Sequence, residues 1–198
     1  MKATHAFSFA LALLLGTASA SAAAGGPDGK TAQLLNFWKT NGAEGMEGGG
    51  APLPPELADI FDYDELTDSA ISPHKKQFND KQLGRYSKTF GNLLRRTVHA
   101  RAGRAIGKTD YKVAKSKKAG KNREVEVSAY LPDEDITTSV VFVWEQTKLG
   151  WQIVDVRIDD ASLVNDYRNQ FGRMIGKDGV DGFITKLERR LDAATGNG

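Results

Sequence analysis

Residues 139–158 read SVVFVWEQTKLGWQIVDVRI, and this stretch decides the fold class. From Val140 to Trp144, large apolar side chains occupy consecutive positions, so an extended chain would present them on both faces. Strands that are covered on both sides have this composition. The intervening TKLG is short enough for a turn between two antiparallel neighbours. The stretch therefore predicts two central strands, over residues 138–146 and 151–159.

Two more strand-like runs precede this pair, over residues 110–115 and 123–131. In the second run, apolar and polar side chains alternate from Val125 to Leu131, which is typical of a strand with one buried face. The connections KKAGKN and PDEDI are too short to contain a crossover helix. The runs therefore predict an antiparallel meander of four strands or more.

A long helix is predicted upstream of the strands, beginning after Asn79. Asn79 suits the N-cap position, Gln82 completes a capping box, and Phe78 and Leu83 flank it as a hydrophobic staple. Apolar residues then recur at steps of three and four, which predicts one wide apolar face. These residues are Leu83, Tyr86, Phe90, Leu93, Leu94, Val98 and Ala102.

Residues 162–191, SLVNDYRNQFGRMIGKDGVDGFITKLERRL, predict a second helical region with a glycine-rich elbow. Ser162 can cap a helix over residues 163–175, and Gly176 can end it in the left-handed conformation. Asp178 or Asp181 can then start the next helix, while Gly179 and Gly182 allow a positive-φ turn or a close backbone approach. The inward-facing residues are expected to be Val164, Phe171, Ile175, Phe183 and Leu187.

The whole pattern predicts an α+β fold, in which several helices pack on a twisted antiparallel sheet within a single domain. Residues 1–24 carry the marks of a signal peptide: Lys2, an apolar run over residues 7–15, and small residues that place cleavage between 20 and 24. Residues 25–56 are expected to hold a short helix and a Gly/Pro-rich loop. Residues 57–191 are expected to form the folded domain, and residues 192–198 a flexible tail. The chain has no cysteine, so no disulfide can brace it.

Several functional classes are disfavoured by composition and spacing. A formal net charge of +2 does not suggest a nucleic-acid partner. His74 and His99 are the histidines beyond the predicted signal peptide, and neither belongs to a metal-binding or hydrolase motif. We therefore expect no enzyme activity, no metal and no cofactor. The seven basic residues within residues 108–123 are interpreted as protection of an edge strand, with docking to an anionic surface as the alternative.

The segments WQIVDVRID, SLVNDYRNQF and KDGVDGFITKL, in this order, resemble the C-terminal signature of the MlaC family, also called toluene-tolerance proteins. Upstream, FNDKQLGRYSKTFGNLLRRTV occupies the place of the long helix of that family, although Asn79-Asp80 stands where the family has Thr-Pro. The resemblance covers residues 57–191. It implies a soluble periplasmic carrier that holds the acyl chains of a phospholipid in an apolar pocket between sheet and helices. It also implies transport between an inner-membrane ABC transporter complex and an outer-membrane lipoprotein complex.

The resemblance and the apolar pattern together give a set of candidate lipid-binding residues. They are Phe90, Leu94, Val98, Val127, Ala129, Val141, Val143, Val154, Val156, Tyr167, Phe171 and Ile175. An ordinary hydrophobic core would explain the same residues. Tyr167 can belong to the core and Arg168 to a surface ion pair, or either can lie near the mouth of the pocket. Two alternatives for function stay open: a carrier of another lipid such as a hopanoid, and a non-lipid protein-interaction module.

Overall fold

The structure, a computed structural model, describes residues 25–41 and 53–195. The predicted signal peptide, residues 1–24, lies outside the described residues, as do most of the Gly/Pro-rich tract, residues 42–52, and the last three residues of the predicted tail, 196–198.

An antiparallel open sheet of six strands forms the centre of the fold, which confirms the predicted fold class. The strands are β1 (Asp110–Val113), β2 (Lys117–Ala119), β3 (Asn122–Leu131), β4 (Ile136–Thr147), β5 (Gly150–Ile158) and β6 (Ala161–Ser162). Their order is β1-β3-β4-β5-β6, and β2 also pairs with β3. The predicted strand over residues 110–115 is thus one of two short strands, which pair with successive parts of β3 along one edge.

The register of the sheet assigns each apolar residue of the central strands to a face. On β3, Val125, Val127 and Ala129 are buried as the alternation predicts. Val127 pairs with Val140 of β4, and Val125 pairs with Phe142, so these four side chains share one side of the sheet, called here the inner face.

The opposite side, called here the outer face, carries charged residues as well as valines. Val141 pairs with Glu126 and Val143 pairs with Glu124, and both valines therefore lie among carboxylates. Between Val143 and Trp144 the register with β5 shifts, which leaves Val154 as an extra residue on β5.

Four helices pack around the sheet: α1 (Pro27–Asn41), α2 (Tyr63–Ile71), α3 (Asp80–Ile106) and α4 (Leu163–Thr195). Short 3-10 turns cover Pro55–Leu57 and Ser72–Gln77. The predicted capping box of α3 is present, with Gln82 N donating to Asn79 Oδ1 at 2.9 Å and Asn79 N donating to Gln82 Oε1 at 3.0 Å. Capping fixes where α3 begins, and therefore which of its residues face the interior.

An aromatic cluster joins the N-terminal half of α3 to α4. The rings of Phe90 and Phe171 lie 4.9 Å apart and nearly perpendicular, and Phe171 lies 4.9 Å from Phe183. Tyr86 stacks on Phe90 at 5.7 Å and donates its buried hydroxyl to Thr67 O of α2 at 2.9 Å. Edge-to-face and offset contacts of this kind stabilise a core beyond the burial of apolar area. The rings of the cluster therefore fill the interior at this end of the molecule.

The first helix of the C-terminal region ends three residues later than predicted, at Gly179, one of the two glycines that were expected to allow a positive φ. Ser162 does cap α4, since its hydroxyl accepts from Asn165 N at 3.1 Å, but the helix does not end at Gly176. It runs on to a kink at Gly179, where φ is 68° and ψ is 175°. This conformation is open only to glycine, whereas Gly176 keeps a negative φ. All five residues that were expected to face inward from this region are buried.

Gly179→Ala and Gly176→Ala form a matched pair that tests this assignment of the kink. Neither added methyl group would meet another atom within 4 Å, so the two substitutions differ in backbone conformation alone. We expect Gly179→Ala to lower the free energy of unfolding by about 1–3 kcal/mol. Gly176→Ala should raise it by about 0.5–1 kcal/mol, because alanine is the better helix former. Urea denaturation of both variants checks this, and equal effects would contradict the placement of the kink.

Candidate functional site

A largely apolar cavity of about 360 Å³ lies between the inner face of the sheet and the helices. The sheet contributes Val127, Val140, Phe142, Val156 and Ile158. The C-terminal half of α3 contributes Leu94, Thr97, Val98, Arg101, Ala102, Ala105 and Ile106. The other lining residues are Leu35 and Trp38 of α1, Phe61, Leu66 of α2, and Leu163, Val164 and Tyr167 of α4.

The side chains of α3 explain why a cavity forms where it does. In the N-terminal half, Tyr86 and Phe90 fill the interior with rings. In the C-terminal half, the residues that line the cavity include Ala102 and, at the exposed rim, Ala105, whose side chains are single methyl groups. A close-packed protein interior leaves no such space by default. The change from large to small residues along one helix therefore leaves an open volume above the sheet.

The structure brings five of the twelve candidate residues to the cavity wall: Leu94, Val98, Val127, Val156 and Tyr167. Phe90, Phe171 and Ile175 instead belong to the packed core between α3 and α4. Ala129 is buried on the inner face, one pair beyond Val127, and does not line the cavity.

The remaining three candidates, Val141, Val143 and Val154, lie away from the cavity and do not belong to its lining. Val141 and Val143 point to the outer face because their pairing partners on β3 are Glu126 and Glu124. Val154 is the extra residue at the register shift, and with Val143 it lines a polar depression on the outer face. Consecutive apolar residues reveal a strand covered on both sides, but not which residues face the helices.

The sequence did not indicate that α1 and the segment before α2 contribute to the cavity wall. Leu35 and Trp38 lie on the short helix that is predicted within residues 25–56, yet nothing in the sequence of that helix indicates what its apolar face covers. Phe61 is held in place by two backbone hydrogen bonds of its neighbours to β5: Asp62 N to Ile153 O at 3.0 Å, and Ile153 N to Ile60 O at 2.8 Å. The change from rings to alanines along α3 was the available signal for the cavity.

His99 ties together three helices behind the cavity wall. Trp38 Nε1 of α1 donates to His99 Nδ1 at 3.2 Å, and Tyr63 Oη of α2 lies 2.8 Å from His99 Nε2. Because Nδ1 accepts, Nε2 carries the proton and donates to the tyrosine oxygen. The guanidinium group of Arg95 lies over the Tyr63 ring at 4.7 Å. The neutral imidazole therefore fixes α1 and α2 against α3.

Burial lowers the pKa of His99 from 6.5 to about 4. A second proton would occupy Nδ1, where Trp38 already donates, so the charged form loses that hydrogen bond as well as solvation. Burial also raises the pKa of the Tyr63 hydroxyl, with a smaller opposing effect from Arg95. Both groups are therefore neutral near pH 7.

The cavity opens to solvent along one rim. Ile158 at the end of β5 is 52 % exposed, and Arg101 and Ala105 of α3 are also exposed. The Thr97 hydroxyl is already used, since it donates to Leu93 O at 2.8 Å. The indole N–H of Trp38 is also used, by His99, so within the described residues Arg101 and the hydroxyl of Tyr167 are the polar groups of the wall without a hydrogen-bond partner.

Over residues 25–41 and 53–195, no helix is long and apolar enough to span a bilayer. The same ranges contain no group of three or more His, Asp or Glu side chains that could hold a metal ion.

The low pKa of His99 predicts a specific loss of stability in acid. The unfolded chain takes up the proton near pH 6.5 but the folded chain only near pH 4, so the free energy of unfolding is highest above pH 6.5 and falls as the pH drops to 4. Each unit of pKa difference is worth about 1.4 kcal/mol, which gives a loss of about 2–3 kcal/mol between pH 7.5 and 4.5.

Urea denaturation of His99→Gln and of the parent chain at these two pH values isolates this contribution. We expect His99→Gln to lose about 2–3 kcal/mol less than the parent chain on acidification, because glutamine does not titrate. Parallel losses in the parent and His99→Gln would contradict the assigned role of His99.

Comparison with known proteins agrees with this fold and places the chain in a family. A similar solved structure is that of a phospholipid-binding protein from Ralstonia solanacearum in complex with a phospholipid. It shows a TM-score of 0.65 at 18% identity, over 84% of this chain and 97% of that chain. A search of curated proteins gives no match. A model of the family described as MlaC protein matches residues 46–189, which is most of the sequence and includes every strand, α2, α3 and most of α4. The chain therefore belongs to the MlaC family.

Proposed function

We propose that this protein is a phospholipid carrier that encloses acyl chains in the cavity and leaves the headgroup at the rim. The observation that carries the proposal is the cavity itself, which is walled by apolar side chains from every layer of the fold and open on one side. Family membership and the phospholipid bound to the Ralstonia solanacearum protein support the same ligand class. An apolar cavity with its polar groups at the rim suits an amphipathic ligand.

The volume of the cavity limits how much of a lipid it can hold. Its volume of about 360 Å³ is near the lower end of the range for ligand pockets, which is about 300–1,000 Å³. A diacyl phospholipid is larger than the drug-sized ligands that such pockets bury. Loading with two chains therefore requires the cavity wall to expand, and the His99 contacts resist separation of α1 and α2 from α3.

The energetics favour a carrier that exchanges lipid with membranes and not with water. Burial of each methylene group contributes about 0.8 kcal/mol relative to water, so spontaneous loss of a long-chain lipid into water is negligible. A bilayer is another apolar phase, and transfer between it and the cavity is close to balanced. Release then needs a docking partner that joins the two apolar compartments.

From family membership we infer the setting of this transport. The chain works in the periplasm after removal of residues 1–24, and it exchanges lipid with an inner-membrane ABC transporter complex and an outer-membrane lipoprotein complex. This setting accounts for a cavity with an exposed apolar rim at Ile158, which a partner would cover during transfer.

Filling the cavity should abolish lipid retention. In Ala102→Phe, a ring replaces a methyl group in the wall, and we expect lipid per protein to fall at least about tenfold because ring and acyl chain compete for the same volume. Ser87→Phe is the matched control, since Ser87 lies exposed on the same helix outside the lining. It should retain lipid as the parent chain does.

The measurement is native mass spectrometry of both variants and the parent chain, purified without detergent, followed by identification of the extracted lipid. A phospholipid is the expected ligand. A folded Ala102→Phe variant with a full lipid complement would show that lipid binds elsewhere. A parent chain that carries no lipid and takes none from vesicles would refute the carrier function, and a polycyclic lipid in its place would refute the ligand class.

A further inference from the structure

Arg101 is the single charged residue among the described residues that line the cavity. It lies on α3 one turn after Val98 and one turn before Ala105, so it occupies the same face of the helix as its apolar neighbours. Its side chain is exposed, which places the guanidinium group at the rim and not inside. A cation at this position meets whatever part of a ligand remains outside the apolar volume.

Arg101 has no carboxylate partner within residues 25–41 and 53–195. Other arginines near the interior are occupied: Arg85 pairs with Glu188 at 2.9 Å, Arg157 pairs with Glu124 at 2.8 Å, and Arg95 lies over Tyr63. The donors of Arg101 are therefore available to an anion.

Tyr167 adds a hydroxyl group near Arg101 at the start of α4. Its ring is held edge-on to Phe90 at 5.0 Å and lies 5.5 Å from Phe171, so the aromatic core fixes its position. Burial raises the pKa of the Tyr167 hydroxyl, and the positive charges of Arg101 and Arg190 act against this rise. Two guanidinium charges thus act at the hydroxyl of one wall residue.

We propose that Arg101, resting on the carrier function proposed above, binds the phosphate group of the lipid at the rim while the acyl chains occupy the cavity. A guanidinium group offers a planar fork of donors that matches two phosphate oxygens, and such charge-assisted hydrogen bonds are the strong ones in proteins. Tyr167, which lines the cavity with Arg101, contributes a hydroxyl donor.

This arrangement makes the protein select the phosphate and not the rest of the headgroup. The acyl chains contact only apolar wall, which binds any chain of suitable length. The alcohol beyond the phosphate extends into solvent past an exposed residue. The carrier should therefore accept phospholipids with different headgroup alcohols, and it should bind diacylglycerol with the same chains less well.

Competition between two lipids with identical chains tests this selectivity. Delipidated protein is incubated with vesicles that contain equal amounts of phosphatidylglycerol and diacylglycerol, and native mass spectrometry gives the ratio of the two bound species. We expect the parent chain to favour phosphatidylglycerol at least about tenfold, the effect of a charge-assisted hydrogen bond. Arg101→Gln should bring the ratio close to one, and Arg101→Lys should give an intermediate ratio, since lysine keeps the charge but loses the fork.

Arg96→Gln is the matched control, because Arg96 is an exposed arginine of α3 outside the cavity lining. Its ratio should equal that of the parent chain, and thermal unfolding verifies that all variants are folded. An unchanged ratio in Arg101→Gln, in a parent chain that binds both lipids, would overturn the role of Arg101 and leave the carrier function intact. A parent chain that binds neither lipid would overturn both proposals.

Discussion

The cavity depends on a mismatch of side-chain size along α3. The helix is long enough to pack on α1, α2 and α4, but its residues change from the buried rings of Tyr86 and Phe90 to the methyl groups of Ala102 and Ala105, which line the cavity. The rings make one half of the interior solid, and the alanines leave the other half open above an apolar sheet. In enclosed, engineered cavities, lost packing costs about 24 cal/mol per Å³, so an acyl chain that fills this space stabilises the folded state.

The walls of the cavity are held by different kinds of contact, and this matters for loading. Antiparallel pairing fixes the sheet side, where β3, β4 and β5 form a continuous hydrogen-bonded surface. The helix side relies on a few polar contacts, chiefly those that His99 makes with Trp38 and Tyr63. A partner that separates α1 from α3 has to replace one hydrogen bond and some ring contacts. Separation of the strands would instead break a continuous series of backbone hydrogen bonds. The helix side is therefore the part of the wall that can move.

Much of the fold follows from local patterns, because period-two alternation and capping are local signals. The capping box at Asn79 and the buried face of β3 were both predictable for that reason. The positive φ predicted at Gly179 is present, but the end of the helix predicted at Gly176 is not, since nothing local in the sequence distinguishes a glycine that continues a helix from one that ends it. The cavity was predictable in part. Val127 and Val156 lie on it as expected, but Val143 does not, because the register that assigns each valine of β4 to a face is a long-range property.

The central claim, that lipid occupies the space between the inner face and α3, is tested most directly by nuclear magnetic resonance on methyl-labelled protein loaded with phosphatidylglycerol. Valine methyl groups report separately on the two faces of one sheet. The account predicts nuclear Overhauser contacts from acyl-chain protons to Val127, Val140 and Val156, which line the cavity. It predicts none to Val141 or Val143 on the outer face. Contacts to the outer-face valines, with none to the three inner ones, would contradict it.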